Sequence, residues 1–195
     1  MAITTEQIKE LRNATGVSIM QCKKALEEAE GDMEKAQILL RKLSKKAADK
    51  KADRELGAGT VASYIHGEGT VGSLVELLCE TDFVSKNEDF KSLAREIAMH
   101  VAASAPEFVR ESEINEGDTL KAKEIFSEEA EGKPEEIKNK IIDGKLEAYF
   151  AEKTLMKQPY IKNPEQTIEQ LIEEAIQKFG EKVEIGRISR YSISG

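Results

Sequence analysis

The hexapeptide Gly67-Glu68-Gly69-Thr70-Val71-Gly72 spells GxGxxG. Such a loop holds a dinucleotide when it leads from a strand into a helix, whose N-terminus then meets the pyrophosphate. Here the runs on both sides read as strands, so the glycines are expected to make a hairpin turn. A kinase glycine loop does lie between strands, but no HRD or DFG triplet follows. The chain has no GxxxxGK followed by Ser or Thr, no HExxH and no Cys/His cluster. His66 and His100 are the only histidines, and no nucleophile motif surrounds either. Cys22 and Cys79 lie far apart and form no CxxC pair. They read as small buried hydrophobes with reduced thiols. The residues therefore suggest no nucleophile motif, no metal site, no cofactor-binding fingerprint in its proper context and no P-loop for a nucleotide.

Two other features bear on recognition instead. Asp82-Phe83 puts a large aromatic beside a carboxylate at a strand-to-helix corner. The ring is either an ordinary core residue or a plug for a partner's pocket, since aromatics dominate interface hot spots. Met20 lies off the apolar stripe of its helix, nearly opposite Ile19, Cys22, Leu26 and Ala29. It is a scattered exposed residue or a soft contact for another helix.

The elements that must position these residues follow from periodicity. Residues 1–45 read as three short helices. Thr4-Thr5-Glu6-Gln7 can cap the first, which stops at Gly16. Ser18-Ile19-Met20-Gln21 is a capping box for the second. Asp32 can cap the third, with Met33, Ala36, Leu39, Leu40 and Leu43 facing inward. Residues 46–56 read as a basic helical linker with no large apolar stripe. At Gly57 the period shifts from about 3.6 to about 2. Thr60–His66 and Thr70–Cys79 then form an antiparallel hairpin. Ser85-Lys86-Asn87-Glu88 is a capping box for a helix over 86–104, striped by Phe90, Leu93, Ala94, Ile97, Ala98 and Val101. Two helices near 118–131 and 134–151 flank Gly132-Lys133-Pro134, an irregular connection spans 152–164, and a helix near 165–179 ends at Gly180. Lys182–Ile193 alternates as a third strand.

The expected fold is α+β, a three-helix module followed by a β-β-α(n)-β core domain over 57–195. A three-stranded antiparallel sheet with helices on one side leaves its other face bare, and a second copy of the chain would cover it.

Composition sets the outer limits. The 195 residues include 34% charged residues and no Trp, with a net charge of −8. That balance argues against generic nucleic-acid binding, which needs a cationic surface. Residues 1–56 carry 12 Lys/Arg against 10 Asp/Glu, and the remainder 17 against 27, which fits a near-neutral module on an acidic body. No apolar run approaches the ~20 residues of a membrane span. The start, Met1-Ala2-Ile3-Thr4-Thr5-Glu6, has neither a basic nor an apolar leader region, so the expected compartment is the cytoplasm.

Several segments carry a family resemblance. Thr15-Gly16-Val17-Ser18-Ile19-Met20-Gln21-Cys22-Lys23-Lys24-Ala25-Leu26 and Glu80-Thr81-Asp82-Phe83-Val84 resemble the two signatures of the elongation factor Ts family. Residues 97–108 resemble a third block, and Gly132-Lys133-Pro134, Gln158-Pro159-Tyr160 and the closing strand also fit. With one hairpin and one Thr-Asp-Phe-Val, the chain resembles the short form.

The resemblance implies a ubiquitin-associated-like N-terminal module, a core dimerisation domain and a homodimer. Ser189-Arg190 stands in the closing strand without a cysteine, so the dimer is expected to be non-covalent. It implies guanine nucleotide exchange on elongation factor Tu. Arg12, Ile19, Met20 and Lys23 would touch a helix of that partner. Asp82 and Phe83, flanked by Thr81 and Val84, would enter near the helices supporting its magnesium site, and His100 would contact an adjacent helix. Where the family often has Ala-Gly-Met-Met, this chain has Val17-Ser18-Ile19-Met20, so Ile19 replaces a methionine. Two other classes remain open from residues alone: an adaptor using only residues 1–45, and a small oxidoreductase using Gly67–Gly72.

Overall fold

The computed structural model describes residues 3–129 and 135–193. Helices α1 (Thr5–Thr15), α2 (Ile19–Glu28) and α3 (Met33–Asp49) come first. Each starts where a side chain satisfies a free backbone donor. Thr4 and Gln7 form a reciprocal capping box on α1. Asp32 accepts from the Lys35 amide on α3. Ser18 accepts from the Gln21 amide on α2, but its hydroxyl then donates to the Gln21 side chain, so only half of the expected box forms. Gly16 ends α1 at φ +68°, a conformation open to glycine at no steric cost.

These helices close over Leu11, Val17, Cys22, Ala25, Leu26, Ala36 and Leu40. Two expectations for this core are corrected. Ile19 is exposed. So is Leu43, because α3 runs Ala36, Leu40, Ser44 along its buried line at spacings of four. Ser44 fills the inward position and hydrogen-bonds Gln177 of the body and the Leu40 carbonyl. α3 runs on through Asp49, so the start of the basic segment belongs to it.

The body is built on strands β1 (Ala58–His66), β2 (Val71–Cys79) and a last strand, Val183–Ser192, in the order first, second, last, all antiparallel. Between β2 and that strand lie α4 (Asp82–Ser85), α5 (Glu88–Ser104), α6 (Glu116–Glu129), α7 (Glu135–Lys153), β3 (Pro159–Tyr160), β4 (Asn163–Thr167) and α8 (Ile168–Phe179); the last strand is β5. The helix break expected at Gly132-Lys133-Pro134 lies outside the described residues.

Alternation puts Ser73, Val75, Leu77 and Cys79 of β2 on the helix side. There they meet Phe90, Ala94, Ile97 and Val101 of α5 and Ile168, Ile172 and Ile176 of α8. A bulge in β5 between the partners of Val75 and Leu77 moves the inward set from Val183 and Ile185 to Ile188. This explains why the apolar residues of β5 break a strict period of two.

Two details differ from expectation. Asn87 caps α5 in place of Ser85, accepting from the Asp89 amide at 2.8 Å. Ser85 is spent inside the unexpected turn α4, where its hydroxyl donates to the Asp82 carbonyl. The expected irregular connection over 152–164 leads into the small β3–β4 hairpin, which pairs Tyr160 with Asn163 and runs to Thr167, so α8 starts at Ile168 and not near 165. Pro159 and Pro164 weaken any strand signal there.

Candidate functional site

The Asp82 turn is an exposed feature of the body held by several side-chain contacts. β2 ends at Cys79, whose thiol donates to the Thr81 carbonyl at 3.2 Å. The Thr81 amide and hydroxyl both donate to the Glu181 carboxylate, at 3.0 and 2.6 Å. Glu80 accepts from the Lys182 amide at 2.5 Å and from Arg54 at 3.1 and 3.3 Å. The Lys182 hydrogen bond, with the nearby Arg54, holds Glu80 below the usual carboxylate range. Asp82 opens α4 and pairs with Lys86 one turn later; that hydrogen bond likewise lowers its pKa.

The two following side chains part ways. Val84 drops into the core beneath the turn. Phe83 stands out with 83% of its surface exposed. Burying a Phe side chain gains roughly 1.5–3 kcal/mol, and here that gain is left unused on a rigid mount. A large exposed aromatic is the residue type that dominates interface hot spots.

The second exposed point lies on α2. Met20 is 82% and Ile19 56% exposed. Arg12 and Lys23 are also exposed, and Lys23 makes only a 3.7 Å surface pair with Glu27. A chain of contacts joins this corner to the body. A Cβ at Gly16 would touch the Lys178 side chain at 3.4 Å, and Lys178 pairs with Asp89 in the first turn of α5 at 3.0 Å. Asp89 follows the Phe83 turn in the chain.

Two expected contact residues are not on the surface. Val84 and His100 are both buried, which corrects the expectation that either presents its side chain to a partner. His100 Nε2 lies 2.9 Å from Gln158 Oε1, and Nδ1 accepts from the Ile161 amide at 3.4 Å. That acceptor role places the proton on Nε2. Gln158 in turn donates to the Glu152 carbonyl at 2.6 Å. The imidazole thus ties α5 to the β3–β4 segment as a neutral group.

Burial pushes the His100 pKa below its ordinary value. The unfolded chain therefore binds the extra proton more readily. The stability that neutral His100 contributes is complete above about pH 6.5 and is lost as pH falls below it. Melting temperatures taken between pH 7.5 and 5 should fall more steeply for the natural chain than for His100→Gln. Parallel curves would show that the ring does not titrate against folding.

The remaining motifs occupy other places. Gly67–Gly69 is the turn from β1 into β2, so a strand follows the glycines. Cys22 and Cys79 are free and buried; burial raises both thiols, Cys79 to about 11. Among the described residues no group of His, Cys, Asp or Glu is arranged to hold a metal ion, and no helix is long and apolar enough to cross a membrane. Sequence reasoning did not find Arg54, Glu181 and the Lys182 amide as supports of the Phe83 turn. Their partners are 26 to 102 residues away, and no local pattern marks them.

Comparison with known proteins gives one consistent outcome. A family model described as Elongation factor TS matches residues 4–195. The Elongation factor Ts of Desulforamulus reducens is 50% identical over 193 residues, covering 98% of this chain and 89% of the relative. That of Syntrophus aciditrophicus is 51% identical over 195 residues, covering 99% and 97%. That of Heliobacterium modesticaldum is 48% identical over 193 residues, covering 98% and 90%. With this match spanning both the α2 corner and the Phe83 turn, the chain belongs to the elongation factor Ts family, and so to the translation elongation factors.

Proposed function

We propose that this protein is a guanine nucleotide exchange factor that binds elongation factor Tu·GDP, disturbs its magnesium and phosphate site, and promotes GDP release so that GTP can rebind. The observation that carries this reading is Phe83, exposed on a turn held from three sides. Residues 1–45 dock through Ile19 and Met20, with Arg12 and Lys23 beside them. Asp82 and Phe83 enter the partner, and Thr81 mounts them. Val84 and His100 act from within, one anchoring the turn and the other fixing α5. The factor binds the nucleotide-free state more tightly than the nucleotide-bound state. By reciprocity it weakens nucleotide and nucleotide weakens it. No covalent step and no nucleotide on this chain are needed, and the working compartment is the cytoplasm.

The factor works as a homodimer in this reading. Val61, Ile65, Leu74 and Tyr191 lie exposed on the sheet face opposite α5. Contiguous apolar surface of this kind marks an interface.

Stopped-flow release of a fluorescent GDP analogue from elongation factor Tu tests the proposal. Acceleration that rises with factor concentration and then saturates is the expected result. No acceleration of an active partner would overturn it. Met20→Ala should raise the half-saturating concentration several-fold, because it trims an exposed docking contact. It should leave the limiting rate nearly unchanged. Asp82→Ala should cost less than loss of Phe83, since its ion pair with Lys86 is solvent-exposed and contributes little.

A further inference from the structure

We infer that Glu181, in the connection between α8 and β5, is the positioning residue that holds the Phe83 turn ready to insert. The inference rests on the exchange reading above and deepens it. Thr81 is an exposed residue, yet all of its polar groups are engaged. Its amide and hydroxyl donate to the two oxygens of Glu181. Its carbonyl accepts from the Cys79 thiol and from the Ser85 amide. A surface threonine normally leaves these groups to water. Here a carboxylate 100 residues away takes both donors at once, and a charged acceptor makes the stronger kind of hydrogen bond.

The clamp sits one residue before Asp82 and two before Phe83. Val84 anchors the far side of Phe83 in the core. With both sides fixed, the aromatic loses little further freedom when it enters a pocket. Binding then avoids much of the ordering cost that a loose loop would carry. Without Glu181 the near side keeps only the Thr81 carbonyl contacts and the Glu80 bonds, and part of that cost returns at the insertion step. Encounter through Ile19 and Met20 is untouched. The loss therefore falls on the limiting rate of GDP release and spares the half-saturating concentration.

Two readouts test this. The first needs no partner: chymotrypsin cleavage after Phe83, mapped by mass. Glu181→Ala should be cut there several-fold faster, with cleavage after Tyr191 as the internal control. Equal cleavage would overturn the clamp whatever becomes of the exchange reading. The second is stopped-flow GDP release. Glu181→Ala should lower the limiting rate about tenfold. Glu181→Gln should recover most of that loss, because an amide can accept from the Thr81 amide and donate to its hydroxyl. In a Phe83→Ala background, Glu181→Ala should change the limiting rate no further. A tenfold loss that persists in that background would assign Glu181 to general stability and overturn the inference. A change confined to the half-saturating concentration would do the same. If Phe83→Ala alone has no effect, the exchange reading fails while the cleavage result still judges the clamp.

Discussion

Phe83→Ala is expected to slow factor-stimulated GDP release by about 30-fold to 1000-fold, with almost no loss of stability. The first part follows from the size of the anchor. Truncating a central aromatic hot spot costs roughly 2–4 kcal/mol of binding, and each 1.4 kcal/mol is tenfold. The second part follows from where the ring is. It is 83% exposed, so removing it opens no cavity in this chain. The turn itself survives, because Val84 and the Thr81–Glu181 contacts do not involve the ring. Most aromatic-to-alanine changes confuse function with folding; this one separates them. Phe83→Leu should keep part of the activity, since an apolar side chain of smaller area still enters a pocket. Stopped-flow release with each variant, alongside thermal melts, checks both halves. A Phe83→Ala factor that stimulates as well as the natural chain would remove the ring from the mechanism.

The parts of the fold legible in the sequence are those set by local physics. Thr4, Ser18 and Asp32 do cap helices, and Gly16 and Gly180 do end them, because each acts within a few residues. The α5 stripe from Phe90 to Val101 and the β1–β2 hairpin follow from periods of about 3.6 and 2. What the sequence hid depends on distant partners. Leu43 looked like core, yet the body supplies Gln177 opposite Ser44 and α3 turns that line inward. Ser85 looked like a cap, yet the Asp82 turn claims its hydroxyl first. His100 was expected at a surface, and only the β3–β4 segment, folding back on α5, shows it buried. The site shows the same division. Phe83 and Met20 were visible as misfits, an aromatic at a corner and a Met off its stripe. The glutamate holding Phe83's turn was invisible, because nothing near residue 181 refers to residue 81.

Leu74→Lys is expected to convert the proposed homodimer, twice the 21.7 kDa of the chain, into a folded monomer. Leu74 lies on the central strand, and its neighbours across the ladder are Ser63 and Ser189. It faces away from Val75, Leu77 and α5. Val61, Ile65, Tyr191 and Ile193 are exposed around it. In a two-fold dimer each copy brings the same patch, so one substitution places two ammonium groups at the interface. The carboxylate on the same strand, Glu76, is already paired with Arg187. Burying unpaired charge costs several kcal/mol. Even about 3 kcal/mol in total weakens association more than a hundredfold. The isolated chain should barely notice, because a lysine on an exposed strand face keeps its head in water. Light scattering at matched concentrations reads the mass, and a thermal melt confirms the fold. A natural chain that already scatters as a single copy at high concentration would remove the sheet face from the assembly. A Leu74→Lys chain that stays dimeric would move the interface elsewhere.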